Sequence, residues 1–91
     1  MTIRFHSAAR KEFFKTAEYY EDQVFELGDE FINEVEKVLE IIGDFPNSGT
    51  KITKFERRFL ISRFPYGVIY SVKTNQIIIF AIMDLRRKPG Y

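Results

Sequence analysis

Apolar side chains recur along this chain with two different periods, and the change from one to the other divides it in half. Phe13, Ala17, Tyr20 and Val24 fall at i, i+4, i+7 and i+11, one face of an α-helix, with Lys11, Lys15, Glu18 and Asp22 off that face. Phe31, Val35, Val38 and Ile42, flanked by Ile32 and Leu39, repeat the pattern in a second amphipathic helix. Leu27-Gly28-Asp29 interrupts the two, with glycine as terminator and Asp29 as the next cap, and Gly43 with Pro46 stops the second helix. So short a connection makes an antiparallel helical hairpin. Neither helix can bury its apolar stripe alone, so both need a sheet.

The second half supplies one. Pro46-Asn47-Ser48-Gly49 is turn chemistry, and Lys51–Phe55 then alternates charged and apolar side chains as a short half-exposed strand does. Phe59–Arg63, Val68–Lys73 and Gln76–Met83 read as strands separated by Phe64-Pro65-Tyr66-Gly67 and Thr74-Asn75, connections short enough only for antiparallel hairpins. Gln76–Met83 is almost wholly apolar and is expected to be central, covered on at least one face by the helices. Ile3–His6 is a short β-prone segment, with Ser7 as helix N-cap. The expected fold is α+β, a single domain over residues 1–91. It has an N-terminal strand and a two-helix antiparallel hairpin packed on a small, mainly antiparallel twisted sheet, in the order β-α-α-β-β-β.

Charge changes this picture more than composition does. The formal net charge is +1, but residues 1–50 carry eleven acids and five bases while residues 51–91 carry nine bases and two acids. The halves are therefore at −6 and +7, and the basic half can attract a polyanion. The chain has no cysteine, which removes disulfides and thiolate chemistry. Its longest strongly apolar run, Ile77–Met83, falls far short of the roughly 20 residues that cross a bilayer. A cytoplasmic protein without a membrane partner is expected, and no metal or other cofactor, because paired metal-ligand motifs, phosphate loops and Ser/His/Asp triads are missing from the sequence.

Candidate chemistry is concentrated in the cations. Arg57 and Arg58 open one strand, Arg63 precedes the Phe64-Pro65-Tyr66-Gly67 corner, and Arg86-Arg87-Lys88 follows the last strand. Arg58 and Arg63 are an odd number of residues apart, so strict alternation puts them on opposite faces. The lone His6 reads as a surface or capping residue, and the acids Glu30, Glu34, Glu36 and Glu40 as a solvated helix face or a dock for a basic partner. Tyr66 and Tyr70 carry ordinary strand propensity or stack on a base.

Taken together, Arg58-x-x-x-x-Arg63-Phe64-Pro65-Tyr66-x-x-x-Tyr70, Tyr19-Tyr20-Glu21, Leu27-Gly28 before Phe31, and Ala81-Ile82-Met83-Asp84-Leu85-Arg86-Arg87-Lys88-Pro89 resemble the RelE/ParE superfamily of type II toxin–antitoxin toxins, and most the ParE or plasmid stabilisation branch. The resemblance runs from Ala8 to Tyr91. It implies a cognate antitoxin that wraps and inhibits the chain in a hetero-oligomer, through Phe13, Tyr20, Phe31 and Val35. It also implies one of two activities. A ParE-like protein inhibits DNA gyrase without being an enzyme, binding its target through Arg58, Arg63, Arg86, Arg87 and Lys88. A RelE-like protein cuts mRNA on the ribosome, with Arg58, Arg63 and Arg86, helped by Lys51 and Lys54, as cations, Asp84 as base and Tyr91 or Tyr66 as acid. A degenerate, non-toxic binding member is a third reading. Histidine often occupies the position of Asp84 in the family, and an aspartate near its ordinary pKa of about 3.9 is a weak base.

Overall fold

The stripe Phe31, Val35, Val38, Ile42 forms one wall of the core, each of the four at most 3% exposed. Full burial of such side chains stabilises by about 1.5–3 kcal/mol each. In the computed structural model, which describes residues 1–87, the elements are β1 (Thr2–Phe5), α1 (Ser7–Gln23), α2 (Leu27–Asp44), β2 (Thr50–Lys51), β3 (Arg57–Leu60), β4 (Tyr66–Lys73) and β5 (Gln76–Asp84). The opposite wall is one face of the sheet, whose Val68, Tyr70, Ile77, Ile79 and Ile82 join the α2 stripe in a single buried cluster. No helix among the described residues is long and apolar enough to cross a membrane.

The sheet has five strands in the order β1-β5-β4-β3-β2. Three hairpin pairings are antiparallel as expected, but β1 runs parallel to β5, with Thr2 opposite Gln76 and Phe5 opposite Ile79. The sheet is therefore mixed, because short loops dictate the direction of consecutive strands only, and β1 meets β5 across the whole intervening chain. β5 is interior, between β1 and β4. A β-bulge places Ile69 opposite Ala81 and Tyr70 opposite Ile79, leaving Phe80 as the extra residue. Beyond Ile79, β1 no longer borders β5, and there the Glu12 side chain of α1 accepts from the Ile82 N–H at 3.2 Å.

Several boundaries differ from the sequence reading. α1 is capped by His6, whose Nδ1 accepts from the Ala8 N–H at 3.2 Å, so Ser7 is the first helical residue and His6 is the capping residue expected of it. The helical hairpin breaks at Val24–Glu26, before Leu27-Gly28-Asp29, and this leaves Val24 57% exposed instead of on the packed face. Gly28 is the second residue of α2, and a Cβ there would lie 2.5 Å from the Ala17 carbonyl oxygen of α1. It serves close helix approach, while Glu26 takes the left-handed turn at φ 68°. Gly43 also lies inside α2, which runs on to Asp44. β2 shrinks to two residues, since Thr53 turns the chain back by hydrogen bonds to Phe55 and Glu56. β3 stops at Leu60: Ile61 and Phe64 fold into the core, Arg63 sits at φ 71°, and Pro65 has no N–H to continue a ladder.

Candidate functional site

The cation-bearing end of the sheet is built by β4 and β5. Tyr66 opens β4 and stands opposite Asp84, which closes β5. Directly opposed antiparallel residues share a face, so both side chains project to the helix side, where the end of α1 brings Tyr20 to 6.2 Å, centroid to centroid, from the Tyr66 ring. Tyr20 also meets Phe64 edge-on at 4.9 Å, and Phe31 touches Tyr20, Phe64 and Tyr66, so the aromatic floor beneath this end is rigid.

Arg86 folds back over that floor. Its Nε and Nη2 donate to the two carboxylate oxygens of Asp84 at 3.0 and 3.1 Å, and its backbone N–H adds a third bond to Asp84 at 3.0 Å. Nη2 also donates to the Tyr66 hydroxyl at 3.3 Å, and the guanidinium carbon lies 5.7 Å from the Tyr66 ring centre. Arg87 approaches Asp84 at 3.7 Å and is 85% exposed. The Arg86 hydrogen bonds hold the Asp84 carboxyl below its ordinary value despite partial burial, and the same contact raises the Arg86 guanidinium. Burial raises the Tyr20 phenol, with Tyr66 adding to the shift and Arg86 opposing it. Asp84 is thus an ionised clamp with both oxygens engaged, a poor acceptor for a substrate proton. The arrangement presents two arginines at a fixed edge.

The other predicted cations are elsewhere. Arg58 is opposite Ile69 and its stem lies over Gly67, on the helix-free face of the sheet, beside exposed Leu60, Met83 and Leu85. Arg63 reaches across to α2, where Nη2 meets Glu30 at 2.8 Å, and this raises its guanidinium. Arg58 and Arg63 are split, but by the left-handed turn at Arg63 and not by strand alternation. Arg57 is structural, donating to the carbonyls of Asn47 and Gly49 at 3.1 and 2.8 Å. Lys51 is on β2, and Lys54 lies over the ring of Phe55 at 5.7 Å in the loop before β3. Lys88 and Tyr91 lie outside the described residues.

Of the four residues expected to meet an antitoxin, Phe31 and Val35 have no exposed surface, because the inner face of α2 is spent on the sheet. Phe13 and Tyr20 are half-buried, with one side of each ring against the core. The acid face of α2 is not uniformly solvated either: Glu34 is 5% exposed and held by Lys37 at 2.8 Å. Sequence reasoning passed over Glu30 as a partner for Arg63 and Glu21 as a cap, and a separation of 33 residues gives the first no local signal. Among the described residues no cluster of metal-ligating side chains is present. Two shallow surface depressions, beside Thr2 with Lys73–Gln76 and beside Ile3 with Leu39, Glu40, Gly43 and Asp44, lie toward the other end of the sheet.

The profile of the family described as "ParE toxin of type II toxin-antitoxin system, parDE" matches residues 3–89. The chain belongs to the ParE toxin family. A solved structure titled "Chromosomal ParDE TA system from P. aeruginosa" is similar in fold, with a TM-score of 0.66 at 15% identity, over 93% of this chain and 96% of that one. No curated protein sequence matches. The similarity extends to the fold, with its strand, helical hairpin and sheet.

Proposed function

We propose that this ParE-family chain acts by inhibiting DNA gyrase in the cytoplasm, and that a cognate antitoxin neutralises it. The observation that carries the reading is the engagement of both Asp84 oxygens by Arg86. Cleaving RNA through its 2′-OH needs a base that takes up a proton readily, and the Arg86 hydrogen bonds lower the proton affinity of Asp84. Binding a large target needs only a charged edge on a rigid base, and Arg86 on the aromatic floor, with Arg87 exposed beside it, supplies one. The antitoxin contact is assigned to the helical hairpin through the accessible sides of Phe13 and Tyr20.

A second reading, ribosome-dependent mRNA cleavage, draws support from Arg58 on the uncovered face of the sheet. One preparation serves both assays: supercoiling by purified gyrase, and mRNA integrity on translating ribosomes. Gyrase inhibition that drops at least about tenfold in Arg86→Ala/Arg87→Ala, with mRNA intact throughout, is the expected result. Cleaved mRNA whose cleavage is lost in Arg58→Ala, with supercoiling untouched, would replace the gyrase reading by the nuclease one.

A further inference from the structure

The tip of the helical hairpin breaks three local rules at once. Phe25 is 82% exposed and its neighbour Val24 57% exposed, at a turn where polar residues cost nothing. Glu26 occupies the left-handed region at φ 68°, where glycine or asparagine would be relaxed. Asp22 lies in the last turn of α1, the end at which the helix dipole disfavours an acid. Each choice works against stability, and rule-breaking of this kind gathers where a surface has another task.

The tip is nevertheless held firmly. Glu21 reaches over the turn and accepts from the Glu26 and Gly28 N–H groups, both at 3.0 Å, while the Val24 carbonyl accepts from Leu27 at 3.0 Å and the Val24 N–H donates to Tyr20 at 3.1 Å. The close approach of Gly28 to Ala17 locks the two helices beneath it. The main chain that carries Phe25 is therefore held in place and loses little further freedom when the tip meets a partner. Asp22, Glu26 and Asp29, all exposed, lie close to it along the chain. Tyr20, one helical turn away, packs on Tyr66, so the tip and the Arg86 edge share one pole of the molecule.

We infer that Phe25 is a target anchor: the hairpin tip inserts into an apolar pocket rimmed by lysine or arginine on gyrase, alongside the Arg86 edge. This rests on the gyrase reading and adds a second contact to it. The charge pattern selects the partner, since an enzyme that handles DNA lines its channel with cations, and an aromatic with acids close to it along the chain complements such a wall. The cationic edge beside it complements the phosphates held there.

The experiment compares wild type, Phe25→Ser, Phe25→Leu and Asp22→Lys/Glu26→Lys in supercoiling by purified gyrase, with thermal melts and sedimentation as companions. Wild type inhibits; Phe25→Ser loses about thirtyfold, Phe25→Leu keeps most of the potency, and the charge-reversed variant is several-fold weaker. All melt no lower than wild type, because Phe25 touches little and a lysine in place of Asp22 suits the end of α1. If wild type inhibits and Phe25→Ser matches it, the anchor is overturned while the gyrase reading stands. A wild type without effect on gyrase overturns both. A dimer in sedimentation that Phe25→Ser dissolves overturns the anchor by assigning the tip to self-association.

Discussion

Tyr66 and Tyr70 stand four residues apart on one strand and point to the same face of the sheet, yet they do different work. Tyr70 has no exposed surface, and its hydroxyl accepts from the Gly49 N–H at 2.9 Å and donates to the Pro46 carbonyl at 2.8 Å. It fastens the loop between α2 and β2 to the sheet. Tyr66 is also buried through its ring, but its hydroxyl emerges at the end of the sheet and receives Arg86. One phenol holds the fold together, and the other steadies an exposed arginine at the end of the sheet. Residue type, strand and sheet face are the same, so what separates them is the group that each hydroxyl reaches.

The two tyrosines should respond most differently to loss of their hydroxyls. Tyr70→Phe leaves the Gly49 N–H and the Pro46 carbonyl without their shared partner and is expected to cost about 2 kcal/mol in urea unfolding. Tyr66→Phe removes one long bond to an arginine that keeps its Asp84 contacts, and costs less than about 1 kcal/mol. Its effect is expected in gyrase inhibition instead, as a loss of a few-fold with a nearly unchanged midpoint. Equal costs for the two substitutions would mean that Tyr66 is scaffold as well.

A smaller effect sharpens the Tyr66 side. The folded-state Asp84 carboxyl titrates below its ordinary 3.8, so its contribution to stability is complete above that value and is lost as pH falls through the lowered one. Wild type should therefore lose more stability than Asp84→Asn between about pH 5 and about pH 2, while the two respond alike from about pH 6 to about pH 8. A parallel response over the acid range would show that Arg86 does not hold Asp84 in solution.

Much of this was legible in the sequence where one physical signal dominated. The α2 stripe is unambiguous at helical spacing, and all four of its residues are core. The β4–β5 hairpin was legible for the same reason, two β-rich runs around Thr74-Asn75. The helical break was misplaced because a glycine before an aspartate marks a helix end as readily as a close contact, and only the packed neighbour Ala17 decides between them. The site was legible as a set of residue types more than as an arrangement. Asp84, Arg86 and Arg87 are close in sequence and meet, whereas the roles of Arg57, Arg58 and Arg63 depend on a loop carbonyl, a sheet face and a distant glutamate. Phe31 and Val35 lie on the stripe that needs a sheet, and the sheet covers them completely, which a resemblance in sequence does not reveal.

The parallel pairing of β1 with β5 also orders events in time. Thr2–Phe5 is made first but finds its partner only in Gln76–Ile79, so during synthesis the first strand waits unpaired until nearly the whole chain has emerged. The helical hairpin can form early from local contacts, but its stripe has no sheet to cover until β4 and β5 arrive. Tyr66, Asp84 and Arg86 come together with that same late hairpin. A growing or truncated chain therefore carries exposed apolar surface and no assembled edge, so the Tyr66–Asp84–Arg86 arrangement exists only once the last strand is complete.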